Sequence, residues 1–143
     1  MQLRDVMTRQ VHEIPPDASL KDAAEIMRAC DIGALPVCEK DKLIGMITDR
    51  DITVRAVAEG QDPNRSNVRQ AMSEQTFFCY EDEDVQKAAQ LMEEKQIRRL
   101  PVFDRQQRLC GIVSLGDIAT RIHDDRLSGE VLEQISEPNQ PHA

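Results

Sequence analysis

The sequence lacks tryptophan, and aromatic residues make up only 3% of its 143 positions. With 40% hydrophobic residues it is nonetheless rich enough in apolar side chains for a compact core, which excludes disordered and fibrous chains. Excess positive charge is missing too. Residues 1–65 carry 9 basic and 12 acidic side chains and residues 66–143 carry 9 and 14, giving the net −8 with no basic stripe to neutralise a phosphate backbone. Double-stranded nucleic acid is excluded as a partner on that ground. No apolar run approaches the roughly 18 residues that span a bilayer, and charge enters at once in Met1-Gln2-Leu3-Arg4-Asp5, so the reading is a protein without membrane span or signal peptide, placed in the cytoplasm. No Cys-x-x-Cys pair occurs among Cys30, Cys38, Cys79 and Cys110, which are expected to be free thiols in a reducing compartment. His12, His123 and His142 are scattered, so no metal site is expected. Gly-x-Gly-x-x-Gly, P-loop and His-Glu-x-x-His patterns are all absent, and no nucleophile stands with a base, which leaves an enzyme assignment without a motif.

What the chain does have is an internal duplication. At an offset of 65, Leu3-Arg4-Asp5-Val6-Met7-Thr8 falls on Val68-Arg69-Gln70-Ala71-Met72-Ser73. In the same register Asp17, Ala23, Ala24, Met27, Ile32, Leu35, Pro36 and Val37 meet identical residues at 82, 88, 89, 92, 97, 100, 101 and 102. One residue is inserted in the second copy, after which Leu43, Gly45, Asp51, Ile52 and Arg55 meet Leu109, Gly111, Asp117, Ile118 and Arg121. Self-similarity this dense means duplication.

Each copy reads as strand, helix, strand, strand, helix. A β-type run, Val11 to Ile14 or Phe77 to Tyr80, is ended by Pro15-Pro16-Asp17 or by the acidic run Glu81 to Asp84. Leu20, Ala23, Ala24 and Met27, and likewise Val85, Ala88, Ala89 and Met92, stand at i, i+3, i+4 and i+7, giving each helix one apolar face. Ser19 with Asp22 is placed to cap the first. Leu35 to Cys38 and Leu100 to Phe103 read as short strands, joined by polar turns to Leu43–Ile47 and Leu109–Val113. A second helix opens near Thr48 or Ser114, with Gly60 as a C-terminal stop in the first copy. The organisation is thus a first domain over 1–60, a linker over 61–67, a second domain over 68–125 and a tail over 126–143. The fold class is α/β, two repeats packed as a pseudo-twofold pair, because a small sheet with helices on one face cannot bury that face alone; any cleft then lies between the halves.

The chemistry concentrates in Gly45-Met46-Ile47-Thr48-Asp49-Arg50-Asp51 and its echo Gly111-Ile112-Val113-Ser114-Leu115-Gly116-Asp117. A strand runs into a helix start bearing a hydroxyl, with a carboxylate three residues on. Helix N–H groups and the hydroxyl suit a phosphate, and the carboxylate can accept from two ribose hydroxyls. The same spacing is also a capping box that serves only the helix. Residues alone leave both readings open.

These motifs resemble a known family. The repeated Leu-Pro-Val, the Gly-h-h-Thr/Ser-x-x-Asp-Ile (h, hydrophobic) and the Met-Thr or Met-Ser opening each copy are similar to the tandem cystathionine-β-synthase (CBS) domain pair over roughly residues 2–125. Asp-Ile-Gly-Ala-Leu-Pro (31–36) and Thr-Asp-Arg-Asp-Ile (48–52) resemble the small stand-alone bacterial pairs of the hypoxic response protein type. The resemblance implies a non-catalytic regulatory module that senses adenosine-containing ligands such as AMP, ATP or S-adenosylmethionine, with no required cofactor. It places the ribose-binding carboxylate at Asp51 and Asp117, the phosphate-side hydroxyl at Thr48 and Ser114, and the adenine-facing residue at Met46 and Ile112. The basic residues ahead of the Leu-Pro-Val strand fall on Arg98 and Arg99.

The first copy departs from that pattern, having Gly33 and Ala34 where the second has its arginines and only Arg50 as a cation in the motif. The two clefts are therefore expected to differ, with phosphate held by the second. With no effector domain in the chain, the output is expected to pass to an unidentified partner protein. The second helices, around Ile52 to Val57 and Ile118 to Ile122, carry apolar residues on more than one face, and a homodimer through them is expected. The alternative is a dimerising scaffold whose clefts stay empty.

Overall fold

A computed structural model describes residues 1–121; the expected tail 126–143, together with Ile122, His123 and His142, lies outside the described residues. The strands are β1 (Thr8–Arg9), β2 (Ala34–Glu39), β3 (Lys42–Thr48), β4 (Ser73–Glu74), β5 (Cys79–Tyr80), β6 (Arg99–Phe103) and β7 (Leu109–Ser114). The helices are α1 (Leu20–Cys30), α2 (Asp49–Asp51), α3 (Val68–Ala71), α4 (Val85–Lys95) and α5 (Leu115–Arg121), and α2 runs on as a π-helical stretch, Ile52–Val57. No helix among the described residues is long and apolar enough to cross a membrane.

Two compact units form among the described residues, one from residues 12–76 and the other from residues 1–11 with 77–121. In the first, β2, β3 and β4 form a sheet in that order, and Leu20, Ala23, Met27, Leu35, Val37, Ile47, Ala56, Val68 and Ala71 share the core. In the second the order is β1-β7-β6-β5, over a core that includes Leu3, Val6, Val85, Ala88, Ala89, Met92, Leu100, Val102, Val113 and Ile118. Both β2/β3 and β6/β7 are antiparallel and share a register shift at matched positions, Val37/Cys38 and Val102/Phe103.

The opening segments are exchanged between copies. Met7-Thr8, which opens the first copy, pairs through β1 with β7 of the second, and Ser73 of the second copy's opening pairs through β4 with β3 of the first. Glycine makes this approach feasible at the two equivalent crossings. A Cβ on Gly111 would lie 2.8 Å from the Thr8 carbonyl oxygen, and one on Gly45 would lie 2.6 Å from that of Ser73, distances real side chains do not tolerate.

The α1 helix starts where expected, the Asp22 N–H donating to Ser19 Oγ at 3.0 Å. Asp84 does the same for α4, accepting from Gln86 N–H at 2.8 Å. Both helices end on a left-handed residue that is not glycine, Asp31 at φ 53° and Gln96 at φ 54°, and the next N–H returns to the carbonyl of Met27 or Met92. The apolar faces are less alike than the spacing predicts, for Ala89 is buried while Ala24 is exposed. The expected strand over Val11–Ile14 is reduced to a single bridge, Ile14 to Val37; Val11 is 71% exposed and pairs with no strand among the described residues. The stretch 61–67 is tied to the start of α1, the Pro63 and Ser66 carbonyls accepting from the Lys21 and Leu20 N–H groups.

Candidate functional site

Each copy builds a corner where its central strand enters its second helix. In the first, the Thr48 N–H donates to Asp51 Oδ2 and the Asp51 N–H donates to Thr48 Oγ1, both at 3.0 Å. In the second, Ser114 and Asp117 make the same reciprocal pair at 3.0 Å each. Both corners are thus complete capping boxes, and the hydroxyls and one carboxylate oxygen of each are committed to the helix. The other oxygen is not. Asp51 Oδ1 lies 3.9 Å from Arg55 Nε, and among the described residues no partner stands against Asp117 Oδ1. Capping therefore engages one oxygen of each half-buried carboxylate and leaves the other outside the box.

Strand pairing then brings the remaining candidates to the corners. Arg99 is the ladder partner of Ser114, and the carbonyl of Arg98 accepts from Leu115 N–H at 3.1 Å, so both exposed arginines begin beside the second hydroxyl and carboxylate. In the first copy Ala34 pairs with Thr48 and the Gly33 carbonyl accepts from Asp49 N–H at 3.0 Å, which puts no cation in those places. Arg50 is exposed one residue into α2. Met46 and Ile112, only 5% and 7% exposed, lie one residue from Ile47 and Val113 and so face away from the core clusters to which those neighbours belong.

Two participants escaped the sequence reading. Arg55 Nη1 donates to the Met72 carbonyl at 3.1 Å while its Nε faces Asp51, so one guanidinium ties the first carboxylate to the exchanged opening segment. Its match with Arg121 in the duplication was the available signal. Asp49 packs against Gly33, and only its place in the motif drew notice.

The four cysteines are free. Cys38 and Cys79 are buried, and Cys30 and Cys110 are half-buried. Burial pushes the Cys38 thiol up to about 12, helped by Glu13 and Asp41, and the Cys110 thiol up to about 12, helped by Glu81. Burial likewise raises Cys79 to about 11, aided by Glu83 against the pull of Lys87. These three stay protonated at neutral pH, which suits packing and not nucleophilic attack. Among the described residues no three His, Cys, Asp or Glu side chains converge as a metal site.

A duplicated α/β module with two capped strand-to-helix corners, one of them flanked by arginines, is the architecture of a regulatory repeat pair. The CBS domain sequence profile matches twice, over residues 3–57 and 68–124, and the chain belongs to the CBS domain family as a tandem pair. CBS domain-containing protein YhcV of Bacillus subtilis is 39% identical over 137 residues, 96% of each chain. Hypoxic response protein 1 of Mycobacterium tuberculosis is 39% identical over 120 residues, 83% of each. A crystal structure of Hypoxic Response Protein I with two coordinated zinc ions superposes with a TM-score of 0.69 at 38% identity, covering 85% of this chain and 99% of that one. A crystal structure of CBSX2 in complex with AMP superposes with a TM-score of 0.62 at 27% identity, covering 82% and 93%.

Proposed function

We propose that this CBS pair is a non-catalytic cytoplasmic sensor that binds adenosine-containing ligands of the AMP, ATP or S-adenosylmethionine class at its strand-to-helix corners. Met46, Thr48, Arg50 and Asp51 serve the first copy, and Arg98, Arg99, Ile112, Ser114 and Asp117 the second. The single observation that carries this reading is the second corner. There a carboxylate oxygen is left over after helix capping, beside a serine hydroxyl and two exposed arginines that strand pairing sets at the same end. Asp117 Oδ1 accepts from the ribose diol, Ile112 offers an apolar surface to the base, and the guanidiniums hold phosphate in charge-assisted bonds. The AMP held by the relative CBSX2 supports the ligand class.

The ligand binds and is released unchanged, and the signal passes to a separate effector protein. The pair acts as a homodimer whose contact includes Val54 and Val57, 48% and 63% exposed on the π-helical stretch. Light scattering reporting a monomer near 16.2 kDa at high micromolar concentration contradicts the dimer.

One observation favours a scaffold with empty corners, namely that both motifs form complete capping boxes and so already have a purely structural role. Thermal unfolding with AMP, ATP, adenosine and S-adenosylmethionine separates the two. A ligand at about 100 times its dissociation constant adds about 2.7 kcal/mol, a rise of several degrees for a chain of this size. No rise with any of them favours the scaffold.

A further inference from the structure

The two corners carry opposite charge at equivalent places. In the second copy the Leu115 N–H is bonded to the Arg98 carbonyl, so an apolar side chain stands where two exposed guanidiniums leave the backbone. In the first copy the same bond runs from Asp49 to Gly33. An acid has replaced the leucine, and both arginines are gone.

That acid lies against the strand start. Asp49 Oδ1 accepts from Arg50 N–H at 2.8 Å, and Oδ2 lies 3.1 Å from where a Cβ on Gly33 would stand. The carboxylate thus fills the ground from which Arg98 departs in the sister copy. Cations of the first corner are elsewhere: Arg50 projects exposed from α2, and Arg55 is engaged with the Met72 carbonyl and Asp51.

We propose that Asp49 is a specificity-determining residue that reserves the first corner for adenosine compounds without a 5′-phosphate, while the second corner takes the phosphorylated ones. The proposal rests on the adenosine-binding reading and divides its ligands between the copies. A phosphate entering the first corner meets the negative charge of Asp49 with no arginine at the strand start to offset it, and the repulsion weakens binding by about tenfold or more. A neutral 5′-hydroxyl meets no such repulsion and can donate to Asp49, and a cationic 5′ substituent is attracted.

Calorimetric titration of the full chain with adenosine and with AMP tests this, using the wild type, Asp49→Asn, and Asp49→Leu, which copies the sister position. Circular dichroism melts check that each variant folds, and the leucine variant decides the matter if the asparagine one does not. The expected result is two adenosines but one AMP per wild-type chain, with a second AMP site appearing in the variants, tightened about tenfold or more, while adenosine stoichiometry is unchanged. Two AMP molecules per wild-type chain, one adenosine per chain, or an Asp49 variant that still takes a single AMP overturns the assignment while leaving adenosine sensing intact. Binding of neither compound overturns the sensing reading and the assignment with it.

Discussion

Replacing Asp117 by asparagine separates the capping duty of its carboxylate from the ribose-binding duty proposed for it. Oδ2 closes the capping box with the Ser114 N–H at 3.0 Å, and the Asp117 N–H is held by Ser114 Oγ, an arrangement the asparagine oxygen can reproduce. Stability should therefore fall by less than about 1 kcal/mol, since asparagine caps nearly as well as aspartate. The ribose is a different matter. Oδ1 has no partner among the described residues, and on the proposed reading a charge-assisted pair to the diol is worth about 1.5–3 kcal/mol, so adenosine and AMP affinity at the second corner should fall about 10- to 150-fold. Asp117→Ala removes both duties and should add about 0.5–2 kcal/mol of lost stability to the same affinity loss. Urea unfolding supplies the first quantity and isothermal calorimetry the second. Unchanged nucleotide affinity in Asp117→Asn would refute the reasoning and assign the carboxylate wholly to the helix.

Arg98→Ala and Arg99→Ala should each weaken AMP about three- to tenfold and leave neutral adenosine unchanged, because on the proposed reading the guanidiniums answer a phosphate charge that adenosine lacks; equal losses for both ligands in calorimetry count against it, and raised salt should mimic the mutations in part. Gly111→Ala and Gly45→Ala should each lose about 1–3 kcal/mol or more in urea unfolding, since the new Cβ would lie 2.8 Å from the Thr8 carbonyl oxygen or 2.6 Å from that of Ser73, whereas Gly116→Ala, with 3.5 Å to Ser114 Oγ, should lose nothing. Stability should also decline in acid. Hydrogen bonding to Arg105 holds Asp82 below its ordinary 3.8, and the Arg108 N–H, with that of Gln106, does so for Asp104. Burial pushes Glu83 up from 4.5, but the Lys87 ammonium and the Tyr80 N–H together outweigh it and leave that group lowered as well. Groups depressed in the folded state stabilise fully above their unfolded values and lose that contribution as pH falls through the folded ones. The melting temperature should thus hold above pH about 5 and drop below about 4, less steeply in Arg105→Gln; a flat profile down to pH 3 contradicts the assignment.

Elements governed by neighbours in sequence were legible beforehand. Helical spacing from Leu20 to Met27 and from Val85 to Met92 places α1 and α4, and the Thr48-to-Asp51 and Ser114-to-Asp117 intervals mark both corners with their caps. Contacts between distant segments were not. Nothing in Met7-Thr8 or Met72-Ser73 says that each will pair with the other copy's strand, although Gly111 and Gly45, identical in the repeat, are the residues that permit it. The left-handed ends at Asp31 and Gln96 were hidden because glycine, the usual signal, is absent there. The π-helical stretch Ile52–Val57, where Arg55 reaches Asp51 and the Met72 carbonyl, has no local signature. At the candidate site the motif residues and the loss of arginines at Gly33 and Ala34 were legible, while the place of Asp49 against Gly33, where the second copy sets Leu115 against Arg98, depends on the pairing of distant strands.

The most direct test of adenosine sensing is a two-dimensional amide NMR titration of the full chain with AMP. Saturable shifts should concentrate on Arg98, Arg99 and the Ser114-to-Asp117 corner, with smaller changes at the Thr48-to-Asp51 corner. Shifts spread evenly over the surface, or none up to millimolar AMP, would contradict the account.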